Sequence, residues 1–305
     1  MGKVAFVFPG QGAQYPGMGR ELAEASPAAA EVFRTADEIR PGTYRQCWNG
    51  TAEELTETKT TQPCMVAVEL AAAAALTEAG ITADMAAGFS LGELAALSYT
   101  HIVDISTSLA LTCRRGELMQ EAAQKHDTSM AAVVKLSNEA VEDLCAQFEG
   151  VYPVNYNCPG QVTVAGLKQQ MPAFSAAVKA AGGRALPLKV SGGFHSPFMA
   201  EAAEKFGEAL ETAVFSEPAM LLYSNVTGQP YEGSPKALLQ KQICSPVRWE
   251  TIIRSMIEHG ADTFIEVGPG NVLQGLIKKI DSNVRVFGVS DAESLNTTIR
   301  EVKAC

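Results

Sequence analysis

The sequence lacks any long uninterrupted apolar run. A membrane-spanning helix needs about 20 predominantly apolar residues, and no apolar run of the 305-residue chain reaches that length. The chain also opens on a strand-like segment at residues 3–8 rather than on a basic and then apolar leader. We therefore expect a cytoplasmic protein with no membrane partner.

Metal-binding and disulfide patterns are missing as well. The seven cysteines are odd in number and include no C-x-x-C pair, and the four histidines are far apart with no H-E-x-x-H motif. These spacings disfavour both a disulfide framework and a zinc site. We expect reduced structural thiols, no metal and no cofactor.

Basic residues are outnumbered, since 24 Lys and Arg stand against 34 Asp and Glu and give a net charge of −10. This balance disfavours nucleic acid as a partner. Between residues 151 and 200, however, there is no Asp or Glu, whereas Lys168, Lys179, Arg184 and Lys189 are present. This basic island is either a landing face for an anionic partner or a set of solvated helix and strand ends, and the sequence favours neither interpretation.

A G-x-S-x-G motif stands at residues 88–92, after an apolar stretch at 85–88 and before a helical pattern of apolar residues. That context is typical of a nucleophile elbow, in which Gly88 and Gly92 remove side chains that would collide in the tight turn. The N–H of Leu91, at the helix start, is placed to stabilise an oxyanion. Ser90 is therefore the candidate nucleophile, although the motif alone fits an ordinary turn equally well.

A general base for Ser90 is expected at His195. This histidine lies in a Gly/Ser/Pro-rich turn at residues 191–197, whereas the other three lie near helix ends or in a linker. Loops between rigid elements commonly carry functional groups, so His195 is the candidate base. No aspartate after Ser90 stands out as a third triad member.

The glycine-rich loop at residues 9–19 follows the first predicted strand. It does not fit a phosphate cradle, because Tyr15 occupies the place of the third glycine in G-x-G-x-x-G. Sites of α/β proteins lie at the carboxyl ends of strands. Gln11 is therefore predicted to line a pocket.

Arg114 and Arg115 are adjacent in a helix predicted over residues 106–124. A guanidinium can hold a carboxylate through two parallel hydrogen bonds. Either arginine is a candidate carboxylate clamp, and a structural salt bridge is the ordinary alternative.

A different order of elements begins after the polar stretch at residues 125–129. The pattern predicts strand 130–136, helix 138–148, strands 151–154 and 162–165, helix 171–181 and strand 184–190, with a turn at 155–161. This β-α-β-β-α-β order is typical of a ferredoxin-like unit. We predict a small subdomain at 127–192, inserted into a larger α/β subdomain formed by 1–126 and 193–305.

Six stretches together resemble the malonyl-CoA:acyl carrier protein transacylases of type II fatty acid synthesis. They are F-P-G-Q-G at 8–12, G-F-S-L-G-E at 88–93, R-G-E-L-M-Q at 115–120, N-Y-N-C-P-G-Q at 155–161, F-H-S-P at 194–197 and E-V-G-P-G at 266–270. Each is short, but in this order they span nearly the whole chain. The resemblance implies an α/β-hydrolase-like large subdomain that carries the ferredoxin-like insert.

The resemblance also implies a reaction. Ser90, activated by His195, would take the malonyl group from malonyl-CoA, hold it as an ester, and pass it to the phosphopantetheine thiol of holo acyl carrier protein. The N–H groups of Gln11 and Leu91 would form the oxyanion hole. Arg115, rather than its neighbour, would pair with the free malonyl carboxylate.

Three further roles are implied by the same resemblance. A backbone carbonyl, at Arg248, would orient His195 in place of an aspartate. Asn157 and Phe194 would contact the substrate, and the bulk of Phe194 should disfavour a branched acyl group. The sequence departs from many relatives at Phe89, where they have histidine.

Two other functions are weighed against this one. A serine esterase or thioesterase has the same elbow, although an arginine clamp and a missing triad acid argue against it. A non-catalytic module that docks a carrier protein would need only the basic island, but Ser90 and His195 are both present. We expect the protein to be a monomer.

Overall fold

The computed structural model describes residues 2–190 and 192–304. Within these residues there are nine strands: β1 (Lys3–Phe8), β2 (Met85–Gly88), β3 (Thr128–Val134), β4 (Val151–Cys158), β5 (Gln161–Leu167), β6 (Arg184–Pro187), β7 (Leu221–Tyr223), β8 (Ala261–Val267) and β9 (Arg285–Val289). The strands form two sheets, one of five strands and one of four.

The same residues form thirteen α-helices. They are α1 (Arg20–Ala25), α2 (Pro27–Ile39), α3 (Thr43–Asn49), α4 (Thr58–Glu78), α5 (Gly92–Tyr99), α6 (Ile105–Ala123), α7 (Asn138–Cys145), α8 (Met171–Ala180), α9 (Ala200–Glu211), α10 (Pro235–Gln242), α11 (Trp249–Glu258), α12 (Val272–Ile280) and α13 (Ala292–Lys303). None of these helices is long and apolar enough to cross a bilayer.

The larger sheet has the order β7-β2-β1-β8-β9, and all of its neighbouring strands are parallel. Its central strand, β1, is buried from Val4 to Phe8, as expected for a nearly continuous apolar run covered on both faces. Phe8 pairs with Gly88 at the ends of β1 and β2. The loops that carry Gln11 and Ser90 therefore leave the sheet side by side at its carboxyl edge.

Helix α4 is an internal helix, buried on almost every side. Its run of alanines gives short side chains, which suits a helix enclosed by neighbours rather than one facing water. The Ala- and Leu-rich composition of the sequence predicts a helix over 61–79 that opens at Gln62–Pro63, but α4 begins at Thr58 and includes Pro63. The proline lacks an N–H and so costs one helical hydrogen bond, and the helix continues past it.

The smaller sheet has the order β4-β5-β3-β6, and all of its neighbours are antiparallel. Helices α7 and α8 pack on it through Val141, Phe174 and Val178. This is the ferredoxin-like arrangement, so the predicted fold class is confirmed. All four strands lie within 127–192, although the exact subdomain boundaries stay a prediction.

The turn predicted at residues 155–161 is mostly strand, because β4 continues to Cys158. The outer edge of β4 has its own partner, since Val247 N donates to Val154 O and Tyr156 N donates to Val247 O, both over 2.9 Å. These bonds keep the backbone extended and join the small subdomain to the large one. The turn itself is confined to Pro159 and Gly160.

Other differences also have local causes. The sequence pattern predicts one helix over 21–40, but this segment is divided into α1 and α2 at Ser26, whose hydroxyl caps α2 by accepting from Ala29 N over 3.1 Å. Pro27 follows at the first helical position, which suits a new helix start. The sequence pattern also predicts helices over 200–213, 246–258 and 272–279, which correspond to α9, α11 and α12, but it does not predict α3, α10 or α13.

Candidate active site

The strand, sharp turn and helix predicted around Ser90 are present. A Cβ added to Gly88 would lie 1.9 Å from the Gly92 carbonyl carbon, and one added to Gly92 would lie 2.3 Å from Phe8 O. Ser90 itself has a φ of 54°, in the left-handed region. Such strain persists only where the surroundings enforce it, and here it places the hydroxyl at the carboxyl edge of the large sheet.

His195 lies against this hydroxyl, with 2.6 Å between Ser90 Oγ and His195 Nε2. On the other side of the ring, Nδ1 lies 2.9 Å from the backbone oxygen of Gln242. Because a carbonyl only accepts, the proton must be on Nδ1. Nε2 is then free to accept the proton of Ser90.

The orienting carbonyl was predicted at Arg248, and that prediction is wrong. Arg248 precedes α11, and its carbonyl accepts from Ile252 N over 3.0 Å as the first bond of that helix. The carbonyl that reaches His195 belongs instead to Gln242, the last residue of the unpredicted helix α10.

The imidazole of His195 is buried, with 4% of the residue exposed. Its pKa is lowered to about 4, because burial and then the positive charge of Arg115 lower it by more than the backbone hydrogen bonds at Gln242 and Ser245 raise it. Burial disfavours the charged form of histidine, as does a neighbouring cation. His195 is therefore neutral at pH 7, which a general base requires.

Arg115 is almost completely buried, with 1% exposed, beside the same serine. Its Nη1 donates to Gln62 Oε1 and its Nη2 to Gln242 Oε1, both over 2.9 Å, and Nη2 also lies 3.3 Å from Ser90 Oγ. All of these acceptors are neutral, and Nε has no partner in the described part of the chain. Burial lowers the pKa of Arg115 to about 10, so it remains charged at pH 7.

Arg114 lies in a different environment. It is exposed and forms an ion pair with Glu117 over 3.3 Å on the same helix. The sequence left open whether these arginines form a carboxylate clamp or a salt bridge, and the structure places them in different surroundings. Arg114 has the ordinary surface salt bridge, and Arg115 has the position beside Ser90.

The N–H groups predicted for the oxyanion hole come from two adjacent loops. Gly10 lies so close to the elbow that an added Cβ would be 2.9 Å from Phe89 O, which brings Gln11 near Leu91. Within residues 2–190 and 192–304, no hydrogen bond engages the backbone N–H of either residue. The Gln11 side chain points to Thr58, with 3.5 Å between Nε2 and Oγ1.

Comparisons with known proteins agree with this geometry. Residues 5–305 match the acyl transferase domain family. The chain belongs to this family. It is 39% identical to the malonyl CoA-acyl carrier protein transacylase of Bacillus subtilis, over 99% of this chain and 98% of the relative, and 35% identical to that of Escherichia coli K12, over 97% and 98%.

Solved structures of acyl transferases agree as well. The malonyl CoA-acyl carrier protein transacylase of Clostridium perfringens superposes with a TM-score of 0.96 at 35% identity, covering 99% of this chain and 98% of that one. A type II PKS acyl-carrier protein in complex with its malonyl-transacylase gives 0.94 at 35% identity, covering 98% and 99%. The family resemblance of the six motifs is therefore confirmed.

The two predicted substrate contacts of this acyl transferase differ in position. Phe194 is buried directly beside His195. Asn157 lies in β4, where its Nδ2 donates to Thr163 Oγ1 over 3.1 Å, and its buried Oδ1 has no partner among the described residues. No hydrogen bond of the described chain joins Asn157 to Ser90, so its role stays a prediction.

Asn225 contacts the elbow and was not predicted from the sequence. It follows β7, and its Oδ1 accepts from Ser90 N while its Nδ2 donates to Gly88 O, both over 2.6 Å. One amide thus holds both ends of the strained elbow. Its place just beyond a parallel strand is the signal that could have identified it.

Glu93 belongs to the predicted elbow motif, but no role was assigned to it. It is fully buried and accepts hydrogen bonds from Tyr231 Oη, Gln242 Nε2 and Asn225 N. Burial raises its pKa to about 7, against the effect of these bonds. Gln62 was interpreted only as a helix start, and Gln242 was not singled out by any pattern.

The metal-binding capacity of the chain and the state of its cysteines were also predicted from the sequence. Within the described ranges there is no group of three or more His, Cys, Asp or Glu placed to hold a metal ion. Six cysteines there are free thiols, and Cys305 lies outside the described residues.

Proposed function

We propose that this acyl transferase moves the malonyl group from malonyl-CoA to the phosphopantetheine thiol of holo acyl carrier protein, through an ester on Ser90. The observation that carries the proposal is a buried arginine, Arg115, which has no carboxylate partner among residues 2–190 and 192–304 and lies 3.3 Å from Ser90 Oγ. The base of that serine, His195, lies 2.6 Å away. The names of its relatives and the solved complex with an acyl-carrier protein support it.

In the first half of the reaction, Nε2 of His195 takes the proton of Ser90 as Oγ attacks the thioester carbonyl. The N–H groups of Leu91 and Gln11 stabilise the resulting oxyanion. When the intermediate collapses, the coenzyme A sulfur leaves and takes the proton from His195. Arg115 holds the distal carboxylate of the acyl group throughout.

In the second half, the carrier thiol gives its proton to His195 and attacks the ester of Ser90. Collapse breaks the ester bond, and the proton returns from His195 to Ser90 Oγ. The cycle needs only groups of this chain, since the serine carries the acyl group, the histidine carries the proton and the arginine matches the charge. No metal or cofactor is required by it.

Selectivity for the acyl group is assigned to two side chains. Arg115 favours malonyl over acetyl, because only malonyl presents a second carboxylate. Phe194 disfavours a substituent on the α-carbon by crowding it, with Asn157 as a further contact. A cytoplasmic location and a monomeric state stay predictions from the sequence.

The proposal is tested by measuring the intact mass of the protein after brief incubation with malonyl-CoA, followed by a chase with holo acyl carrier protein. We expect a malonyl adduct that disappears onto the carrier, and no adduct with Ser90→Ala. An adduct lost equally fast to buffer would identify a hydrolase. Absence of any adduct would favour the docking module.

A further inference from the structure

The side chain of Gln242 makes contacts that its role in orienting His195, through the backbone carbonyl, does not require. It is the last residue of α10 and is 1% exposed. Its Nε2 donates to Ser90 O over 2.6 Å and to Glu93 Oε2 over 2.9 Å, and its Oε1 accepts from Arg115 Nη2 over 2.9 Å. One side-chain amide thus contacts the nucleophile, a buried acid and the buried arginine.

The orientation of this amide is fixed by its partners. Ser90 O is a carbonyl and only accepts, and the carboxylate that Glu93 forms above its pKa of about 7 is acceptor-only as well, so both hydrogens of Nε2 are used. A flipped amide would place Oε1 against these two oxygens and the amide hydrogens against a guanidinium. Oε1 must therefore face Arg115.

Arg115 is held from two sides by this kind of contact. Gln62 on α4 accepts from Nη1, and Gln242 on α10 accepts from Nη2. Both acceptors are neutral, so they fix the direction of the guanidinium and leave its charge uncompensated. A cation that is already oriented loses less freedom when a carboxylate binds.

We propose that Gln242 is a specificity-determining positioning residue, whose amide, oriented by Glu93, holds Arg115 in place for the carboxylate of the acyl group. This inference rests on the proposed malonyl transfer. It separates two functions of one residue, because the backbone carbonyl of Gln242 orients His195 while its side chain orients Arg115. A side-chain substitution therefore keeps the carbonyl that orients His195 and removes the contacts with Arg115, Glu93 and Ser90 O.

The chemistry of the side chain gives two informative variants. Gln242→Met has similar length but removes every polar contact of the side chain. Gln242→Glu keeps the shape, but its carboxylate would pair with Arg115 internally and stand against Glu93. Both are expected to weaken the recognition of an external carboxylate.

The test compares acylation of Ser90 by malonyl-CoA and by acetyl-CoA, followed by intact mass at pH 8. Hydrogen bonds to charged groups contribute about 1.5–3 kcal/mol, so Gln242→Met should lower kcat/KM for malonyl-CoA by about 10- to 150-fold. The loss should be mainly in KM, with acetylation changed much less. The matched control is Gln240→Met on the same helix, where the side chain packs against Gly207 and both substrates should react as with the unmodified protein.

Each outcome decides the proposal. Equal losses for malonyl and acetyl would assign Gln242 a purely structural role, and an unchanged malonyl rate would remove it from the site; either result overturns the inference. If Gln242→Met does not fold, as judged by its thermal transition, Gln242→Glu supplies the same comparison. Failure of the proposed function is distinct, because the unmodified protein would then form no malonyl ester or lose it to water.

Discussion

Replacement of Arg115 by methionine tests the central charge interaction of the site. The structure predicts that Arg115→Met weakens malonyl transfer selectively, since this cation has no carboxylate partner within the described chain and lies 3.3 Å from the nucleophile. Methionine fills a similar apolar volume along the side chain. Loss of packing is therefore kept small, and the change is mainly one of charge.

The magnitude follows from the burial of this residue. With 1% of Arg115 exposed, its interaction with a bound carboxylate is shielded from solvent. Removing one partner of a buried, hydrogen-bonded charge pair costs about 2–5 kcal/mol, which corresponds to about a 30- to 5,000-fold loss in kcat/KM for malonyl-CoA. Acetyl-CoA presents no carboxylate, so its transfer should lose far less.

The assay is the rate of acyl-enzyme formation with each thioester, measured by quenching and intact mass. Arg114→Met is the matched control, because Arg114 is the adjacent residue but is exposed and forms a surface ion pair with Glu117; it should leave both rates unchanged. The reasoning is refuted if Arg115→Met slows malonyl and acetyl transfer equally. It is refuted as well if the control variant reproduces the selective loss.

Two further predictions concern pH and the elbow. Because the pKa of His195 is lowered to about 4, the rate of acylation by acetyl-CoA should persist well below pH 6.5, and Arg115→Met should move the low-pH fall of this rate to higher pH. A fall that stays at the same pH would contradict the role of the arginine charge. Glu93→Gln is the control, because it removes the carboxyl whose pKa is about 7. As pH falls, the unfolded state binds a proton on His195 at a higher pH than the folded state does. The contribution of the neutral, buried His195 to the free energy of unfolding is therefore lost as pH falls from about 6.5 toward 4. Gly88→Ala should lower the free energy of unfolding, measured in urea, by more than about 2 kcal/mol, because the added Cβ would collide with backbone atoms. Gly275→Ala, in open space on α12, should raise it by about 0.5–1 kcal/mol. Equal effects of the two variants would contradict the packing argument.

The nucleophile elbow and the ferredoxin-like subdomain could be predicted from the sequence, because the patterns that indicate them involve residues close together along the chain. The elbow needs five adjacent residues, and the β-α-β-β-α-β order needs only the change of hydrophobic period along about 60 residues. The nucleophile and its base lie 105 residues apart, but each stands in a turn of recognisable composition. Their meeting at 2.6 Å follows once the topology brings both turns to one edge.

The residues that were missed have no local signature. Asn225 and Gln242 reach Ser90 across 135 and 152 residues, and amide side chains at helix or strand ends are usually solvated. Helix α10, which is short and follows an irregular segment, was not predicted at all. For the same reason the carbonyl partner of His195 was assigned to Arg248, six residues beyond the one that reaches it.

The network below Ser90 explains how a buried cation can remain uncompensated. The charge of Glu93 raises the pKa of Arg115 against the larger effect of burial. The amide of Gln242 lies between them, bonded to both, so the two charges are connected without forming an ion pair. A direct salt bridge would satisfy the arginine and remove its attraction for a ligand. By keeping a neutral amide between the charges, the fold retains an oriented guanidinium whose best partner is the carboxylate of a bound acyl group.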